Sequence, residues 1–573
     1  MANISFHGSH NTGIAIEVDG KINLILELER YVNLKNAGIA QYNPVPGFLL
    51  VMDDVARWIL KTTGIDMFDT CYASCPNVVI GTPTDGYRVV DLSAKLPATE
   101  YVWPHHHLSH AGGCFYQSSF KEALIFSFDG GGDDGKFNVY HCVRGEVPTL
   151  LEIIFNPRQI GPGVANHQYA YYDLGFAYMI LAHYLEDIRF EGLTEGNLVY
   201  PGKLMGLASY GTVREEWLPH FVHFMKGNAD GASVNGETVY ITLMRELGEN
   251  IGVEFDPMNR LSGQLAWDLA ATHQRAFEEC FLEVAKPYFD QYPDLPICIT
   301  GGCGLNIILN TRLVEEFKKD VFVGPNPSDC GLIVGMLANV LLPEEPIDVT
   351  YAGLPLLDID TLMEYVAHYT LRHARRLVHG KHLLDGYTEI TYDTLTQDLI
   401  DGKIVGVAMG QSEHGPRALG NRSILCNPAF ASMKDTLNEK VKNREWYRPF
   451  APVVRLEDVS KYFEWEGESR WMSFCPKVRP EWRDVLSAIT HVDGTARVQT
   501  ITREQHAWLY DLLTAMDAKT GVGVLLNTSF NVNGKPILST LKDAFHIYEN
   551  TELDGVVIEN YYFRKEPFVV PFQ

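Results

Sequence analysis

The chain has 573 residues, of which 46% are hydrophobic, so it can bury the cores of two or three domains. Its 72 acidic and 47 basic residues give a formal net charge of −25, which disfavours general binding to nucleic acids or anionic membranes. Residues 1–9 lack the basic and apolar regions of a signal peptide, and the nearly apolar stretch 332–342 is too short to span a bilayer. Ten cysteines without a C-x-x-C pair indicate a reduced, cytoplasmic protein.

A duplicated pattern organises the N-terminal half. Residues 3–28 are predicted to form a strand, a polar loop and a hairpin around Asp19-Gly20, and the same order recurs in residues 124–154. Such duplication predicts two related α/β halves with a nucleotide between them, each loop gripping phosphate from one side. His10 in the first loop and Asp129 in the second are therefore expected to face one cleft.

The stretch 103–134 combines a histidine pair with a glycine-rich turn. Pro104 favours a helix start, after which His106 and His110 lie one turn apart on the same face, as in many divalent-metal sites. A buried-strand pattern ends at Asp129, which can supply an oxygen ligand. Backbone amides of the next three residues can approach a phosphate closely: Gly130, Gly131 and Gly132. An ordinary histidine pair and a plain hairpin turn are the alternatives that the spacing leaves open.

Three later positions extend these candidates. Lys203 lies in G-K-L-M-G-L-A-S-Y-G and could contact phosphate, although a solvated loop lysine is the commoner case. In residues 296–306 a strand leads through Gly301 and Gly302 to a helix start, which is a candidate platform for a nucleotide. Asp329 also stands at a helix start, where it is either an N-cap or a fourth metal ligand.

The C-terminal part is predicted as a second domain from about residue 387. The proline-rich stretch 343–357 is the best linker candidate, and 358–382 is predicted to be helical. Apolar strands at 404–409 and 522–526 run into polar loops that contain Ser529 and Asn531 in the second case. Basic residues concentrate here in an otherwise acidic chain: Arg417, Arg422, Lys442, Arg444, Arg448 and Arg497. Each alone is more often a surface charge, but together they favour a pocket for a small anion.

Six motifs occur in order: H-H-L-S-H-A, D-G-G-G, G-K-L-M-G-L-A-S-Y-G, E-H-G-P-R-A-L-G-N-R-S-I-L, V-K-N-R-E-W-Y-R-P-F-A-P and L-L-N-T-S-F-N. With them the chain resembles, over nearly its whole length, the O-carbamoyltransferases of antibiotic and nodulation-factor biosynthesis. The resemblance implies an α/β fold with an actin-like ATPase domain of duplicated halves at 1–345, similar to the tRNA threonylcarbamoyl-transfer protein. A linker at 346–386 and a YrdC-like, adenylate-forming α/β domain at 387–573 would follow.

The resemblance also implies a reaction. Carbamoyl phosphate and ATP, the latter with Mg²⁺, would form carbamoyladenylate, whose carbamoyl group passes to a hydroxyl of a small-molecule natural product. His10 matches the family histidine near the acceptor hydroxyl and is expected to take its proton, while Asn11 stands where the family usually has Asp.

The implied metal ligands are His106, His110, Asp129 and Asp329. The resemblance favours Fe²⁺, and the donor types also suit Mn²⁺ or Zn²⁺. The candidate ATP or adenylate contacts are Gly130, Gly131, Gly132, Lys203, Gly301, Gly302 and Asn306. The candidate carbamoyl phosphate contacts are Arg417, Arg422, Lys442, Arg448, Arg497, Ser529 and Asn531.

Two other functions compete with this interpretation. A tRNA threonylcarbamoyl-type transferase is disfavoured by the acidic balance and the C-terminal arginine motifs, and a non-catalytic ATP-binding regulator by the dense metal and arginine motifs. No nucleic-acid or membrane partner is expected, and the oligomeric state, with a homodimer among the options, stays open. The acceptor is not identified; the loop-like segments 36–48 and 161–172 are candidates for its site.

Overall fold

The protein is described by a computed structural model. It describes residues 1–38, 46–74, 77–80, 88–91, 95–156, 170–171, 173–189, 197–226, 233–234, 237–369, 374–378 and 389–566. The chain divides into two compact units, the first comprising residues 1–28 and 36–348 and the second comprising 29–35 and 349–573. The division predicted from the sequence, with a linker at 346–386, stays a prediction; in this grouping residues 349 onward belong to the second unit.

Two five-stranded sheets of the same strand order form the first unit. The first runs Lys21–Glu27, Gly13–Val18, Ala2–His7, Phe68–Ser74 and Ala98–Val102, and the second runs Thr149–Ile153, Phe137–Val143, Glu122–Phe128, Ile297–Thr300 and Val321–Phe322. In both, the central strand pairs antiparallel with the next strand of the hairpin and parallel with a later strand. The predicted duplication of α/β halves is confirmed.

The helices of the first unit are Pro46–Thr63, His106–Gln117, Leu174–Ile180, Tyr200–Ala208, Leu218–Lys226, Val239–Ile251, Gly263–Gln291, Ile307–Glu315 and Leu332–Leu341. Three-residue and four-residue 3-10 turns lie at Leu181–Tyr184, Asn197–Val199, Gly302–Leu305 and Asp329–Gly331. Small two-stranded ribbons pair Asn77–Ile80 with Arg88–Asp91, Phe155–Asn156 with Ala170–Tyr171, and Ser233–Val234 with Glu237–Thr238. The longest of these helices, Gly263–Gln291, packs on the second sheet, where the ring centroids of Phe281 and Phe128 are 5.0 Å apart.

Glycines allow the helices His106–Gln117 and Leu332–Leu341 to touch along their backbones. A Cβ added at Gly335 would lie 1.7 Å from the carbonyl oxygen of Ser109, and one added at Gly113 would lie 3.1 Å from the Cα of Gly335. A side chain at Gly335 has no room, and one at Gly113 would press on the backbone of the other helix. The helix that carries His106 and His110 is therefore held directly against the helix that follows Asp329.

A nine-stranded mixed sheet forms the second unit in the described part of the chain. Its order is Glu389–Thr391, Ala374–Val378, Tyr561–Arg564, Gly555–Ile558, Val405–Ala408, Arg422–Cys426, Val524–Ser529, Ala451–Arg455 and Gln499–Ile501. The accompanying helices and turns are Ile359–Thr361, Leu362–His368, Tyr392–Ile400, Met433–Thr436, Leu437–Lys442, Leu456–Asp458, Val459–Tyr462, Pro480–Trp482, Ala507–Thr520 and Leu541–Asn550. The short helix Leu28–Tyr31 contains the point in the sequence at which the chain passes from the first unit to the second. The predicted α/β class is thus confirmed for both units.

The predicted helix over 358–382 is confirmed up to His368 and wrong at 374–378, while 370–373 and 379–382 lie outside the described residues. The helical part ends at His368, and Ala374–Val378 is a strand between Glu389–Thr391 and Tyr561–Arg564. One of its two strand partners, Tyr561–Arg564, lies almost two hundred residues away in the sequence, so tertiary pairing decides its conformation against the local pattern. Among the described residues, no helix combines the length and the apolar character that crossing a bilayer requires.

Candidate metal centre and anion pocket

Four predicted ligands meet at the edge of the second sheet in the first unit. Ligand atoms of His106, His110, Asp129 and Asp329 all lie within 4.8 Å of one another. The Nε2 of His110 is 3.5 Å from a carboxylate oxygen of each aspartate and 3.2 Å from the Nε2 of His106. Ser328, rather than Asp329, occupies the N-cap position of the turn Asp329–Gly331. Two imidazoles and two carboxylates form a donor set that fits a divalent transition-metal ion.

The acidic turn after the glycines fixes the start of the histidine helix. Asp133 accepts a hydrogen bond from the backbone N–H of His106 at 2.9 Å, and Asp134 accepts one from the N–H of His107 at 2.9 Å. These carboxylates satisfy donors that the first helical turn leaves open. His107 is fully buried and its ring nitrogens contact the hydroxyl of Ser127 and the carbonyl of Gly135. His107 therefore attaches the helix to the sheet, while His106 and His110 of the same helix belong to the group of four ligands.

Glycine amides of both predicted nucleotide loops contact Asp129. The N–H of Gly130 and the N–H of Gly302 each donate to a different carboxylate oxygen of Asp129 at 2.6 Å. Gly301 has a positive φ of 83°, and a Cβ there would lie 2.1 Å from the carbonyl oxygen of Phe128. The two loops are therefore brought together around this carboxylate. Gly131 and Gly132 continue the first loop.

Two of the predicted adenylate contacts have structural partners. Lys203 is 1% exposed within the helix Tyr200–Ala208, rather than on a loop, and its Nζ donates to the carbonyl of Arg189 at 3.4 Å. Asn306 caps the helix Ile307–Glu315 by accepting from the N–H of Leu309 at 3.0 Å. It also exchanges hydrogen bonds with the side chain of Gln274. These contacts place Asn306 at the base of the second loop.

His10 and His7 stand on the other side of Asp329. The Nε2 of His10 lies 3.4 Å from Asp329, and the His10 side chain is 41% exposed, so an incoming molecule can reach it. His7 was not among the sequence candidates. Its Nε2 lies 3.7 Å from Asp329 and its Nδ1 lies 2.5 Å from the hydroxyl of Ser74. The H-x-x-H spacing at the end of the first strand is the signal that could have identified it.

The pKa values of the cluster follow from burial and mutual contact. Burial lowers the pKa of His7 to about 4. Burial also opposes the charged form of His110, but Asp129 and Asp329 outweigh it and raise the pKa of His110 to about 9. Burial acts against the ionisation of Asp329, yet the surrounding histidines, led by His106, hold its pKa well below the usual value. The carboxylates are consequently ionised, the form in which they bind a metal.

In the second unit, Lys442 joins the predicted serine and asparagine. Its Nζ donates to the Ser529 hydroxyl at 3.1 Å, to the Asn531 side-chain oxygen at 2.5 Å, and to the carbonyls of both residues. Ser529 ends the strand Val524–Ser529, so the strand end positions this group. Burial, with repulsion from Arg444, Arg448 and Lys35, holds the pKa of Lys442 well below its usual value.

Four arginines form a mutually repelling group with this lysine, in which Arg444 and Arg448 act on Lys442 directly. Burial and the charge of Arg448 lower the pKa of Arg417 to about 10, and burial with neighbouring arginines holds the pKa of Arg444 and Arg497 well below the usual value. The Nε of Arg497 is buried without a hydrogen-bond partner among the described residues. Glu445 is an acidic side chain in contact with the group, 3.6 Å from Arg448. Buried positive charge in this excess favours binding of an anion.

Arg422 has a different environment. It is fully buried, and its guanidinium donates to the carbonyls of Met409 at 2.6 Å and Gly410 at 2.8 Å. The charges that act on it belong to Glu413, Glu559 and Arg30. Glu413 in turn accepts backbone N–H donors of the loop between Arg417 and Arg422. The structure therefore places Arg422 in the support of this loop and does not bring it together with the other cations.

Two family models match this chain, one over each part of it. A family model described as "Carbamoyltransferase N-terminus" matches residues 16–337, and one described as "Carbamoyltransferase C-terminus" matches residues 396–565. The chain belongs to the carbamoyltransferase family. The predicted resemblance is thus confirmed, and the protein is a transferase by family.

Relatives of this carbamoyltransferase include nodulation and antibiotic proteins. The nodulation protein NolNO of Sinorhizobium fredii is 33% identical over 84% of this chain and 66% of its own length, and NolO of Bradyrhizobium diazoefficiens is 31% identical over 81% and 79%. The 3'-hydroxymethylcephem-O-carbamoyltransferase of Amycolatopsis lactamdurans is 33% identical over 64% of this chain and 65% of its own. The solved structure of full-length HypF is similar over 60% of this chain and 56% of that chain, with 13% identity and a TM-score of 0.33.

The candidate acceptor loops of this carbamoyltransferase lie largely outside the described residues. Of segment 36–48, the part 39–45 lies outside, and of segment 161–172 only 170–171 is described.

Proposed function

We propose that the protein is an ATP-dependent O-carbamoyltransferase that works in two steps. Water first cleaves carbamoyl phosphate to carbamate and phosphate, and a carbamate oxygen then attacks the α-phosphorus of ATP to form carbamoyladenylate and release pyrophosphate. The carbamoyl group then passes to a hydroxyl of a small natural product, with AMP as the leaving group and the hydroxyl proton going to a base. The observation that carries this proposal is a group of five buried or half-buried cations that repel one another: Lys442, which contacts Ser529 and Asn531, and Arg417, Arg444, Arg448 and Arg497. Among the described contacts, Glu445 opposes this positive charge. The group of cations supports binding of the phosphate groups of the first step.

In the first step, Lys442 and the arginines hold the anionic groups and stabilise the charge that develops as pyrophosphate leaves. Arg417, Arg448 and Arg497 have guanidinium forks that can bind phosphate oxygens in pairs. The serine hydroxyl and asparagine amide beside Lys442 add neutral hydrogen bonds. Carbamate itself is a poor carbamoyl donor, and its mixed anhydride with AMP is a far better one. The proposed first step therefore activates carbamate with ATP before the acceptor hydroxyl reacts.

In the second step, His10 removes the proton of the acceptor hydroxyl through Nε2, which lies beside Asp329. A divalent cation held by His106, His110, Asp129 and Asp329 would supply positive charge for a phosphate oxygen of the adenylate. The family resemblance favours Fe²⁺, and the donors also fit Mn²⁺ or Zn²⁺. The amides of Gly130 and Gly302 orient Asp129, so that its carboxylate keeps one position during the transfer.

The proposal is tested by incubating the full chain with ATP, Mg²⁺, carbamoyl phosphate and each candidate divalent metal, and by measuring pyrophosphate. We expect pyrophosphate only when carbamoyl phosphate is present, because ATP alone offers no carboxylate to adenylylate. Release of inorganic phosphate from ATP without pyrophosphate would contradict the proposal, and so would the absence of any product with all metals. Hydroxylated natural products, including a 3'-hydroxymethylcephem, then serve as acceptors, and carbamoylated product is identified by mass spectrometry.

A further inference from the structure

The chain reverses direction immediately after Lys442. Residues Leu437–Lys442 form a wide π-type turn, and Asn443 follows in the left-handed conformation with φ at 47°. Turns of this type are rare and often lie at functional sites. Because of the reversal, the two later cations of this segment, Arg444 and Arg448, return towards the beginning of the turn. Their positions depend on the contacts that hold the returning segment.

The side chain of Asn438 makes those contacts. Its Oδ1 accepts a hydrogen bond from the Nε of Arg444 at 2.7 Å, and its Nδ2 donates to the backbone carbonyls of Trp446 and Arg448, both at 3.3 Å. The carbonyl of Asn438 accepts the backbone N–H of Arg444 at 3.0 Å. Asn438 is 1% exposed. One buried amide therefore connects the turn to the whole segment 444–448.

The guanidinium of Arg444 is held by uncharged groups. Its guanidinium is bound by Asn438 and by the carbonyl of Pro449 at 3.2 Å, and it lies 4.4 Å from the ring centroid of Phe450. These partners are neutral, so they fix the guanidinium without cancelling its charge. An aspartate in place of Asn438 would offer the same oxygen to Arg444 but would add a negative charge and lose both donors.

We propose that Asn438 is a positioning residue of the anion pocket. It sets the places of Arg444 and Arg448 relative to Lys442 while leaving the positive charge of the pocket intact. This inference rests on the proposed function, in which the pocket receives the phosphate of carbamoyl phosphate. Asn438 is not expected to touch that substrate. Its loss should weaken the binding of the phosphate group more than it slows turnover at saturation.

The test uses the full chain with Asn438→Ala, Asn438→Asp and the control Asn550→Ala. Asn550 is an exposed asparagine of the same unit whose amide bonds its own helix through His546. Two quantities are measured: the Kd for inorganic phosphate by calorimetry, and the KM for carbamoyl phosphate with kcat from pyrophosphate release. Asn438→Ala is expected to raise both constants about tenfold, the size of one lost charge-assisted hydrogen bond, and Asn438→Asp at least as much. Asn550→Ala should match the wild type.

The outcomes separate the inference from the proposed function. A lower folded fraction or lower kcat with an unchanged KM and unchanged phosphate Kd would show a purely structural role and overturn the inference. Should Asn438→Ala not fold, the isosteric Asn438→Asp decides, because unchanged phosphate binding in that variant also overturns it. A wild type that binds phosphate but makes no pyrophosphate would refute the proposed function while still testing Asn438. A wild type that binds no phosphate would overturn both.

Discussion

Replacing Arg448 by alanine is expected to lower pyrophosphate release at least ~100-fold, the typical cost of removing one donor that stabilises transition-state charge. Burial is the main cause of the lowered pKa values of Arg417, Lys442, Arg444 and Arg497, and repulsion from Arg448 adds to each of them, so the charge of Arg448 is close to all four. Removing it relieves that repulsion, but it also removes a fork that phosphate can use. The rate is measured with saturating ATP and varied carbamoyl phosphate.

The matched control for this substitution is Arg503→Ala. Arg503 is a 56% exposed arginine of the same unit that pairs with Asp511 on the surface. We expect wild-type rates for this variant and partial recovery for Arg448→Lys, which keeps the charge and loses the fork. Near-normal pyrophosphate release in Arg448→Ala would show that the arginine cluster does not hold the reacting phosphates.

Replacing His10 by alanine is expected to separate the two steps. Pyrophosphate release should persist, because His10 belongs to the first unit and none of the described anion-pocket contacts involves it. Transfer to the acceptor hydroxyl should fall ~10²–10⁴-fold, the usual effect of removing a general base. Both rates are followed in one reaction with ¹⁴C-labelled carbamoyl phosphate, by pyrophosphate and by labelled acceptor.

His223→Ala provides the control for the loss of a histidine. His223 is exposed in the same unit and lies 3.4 Å from Glu246. It should change neither rate. An equal loss of pyrophosphate release and transfer in His10→Ala would mean that the histidine acts before the adenylate exists, and the assignment of the two steps to two sites would fail.

Local patterns predicted the parts of the site that are local in the chain. His106 and His110 share a helix face, and Asp129 directly follows a buried strand, so their spacing alone indicated one cluster. Asp329 was ambiguous because a helix start suits a cap as well as a ligand. In the fold Asp329 lies 3.5 Å from His110, which is more than two hundred residues away in the sequence, so Asp329 belongs to the cluster.

Residues that depend on remote pairing could not be found in this way. His7 lies beside Ser74 because its strand pairs in parallel with Phe68–Ser74, and its Nε2 is 3.7 Å from Asp329, more than three hundred residues away in the sequence. Arg417 and Arg422 are equivalent in the motif, yet burial against the carbonyls of residues 409 and 410 separates their roles. Asn438 carries no charge and no motif distinguishes it, so its contacts with Arg444 and Arg448 are visible only in the fold.

The most direct test of the account is the exchange of labelled pyrophosphate into ATP without any acceptor. Formation of the adenylate is reversible, because labelled pyrophosphate can attack carbamoyladenylate and regenerate ATP. Label should therefore enter ATP only when carbamoyl phosphate is present. The account predicts this exchange in the wild type and in His10→Ala, and its loss in Arg448→Ala. Exchange that requires an acceptor, or that fails in His10→Ala while it continues in Arg448→Ala, would contradict an adenylate made at the arginine pocket and consumed at the histidine cluster.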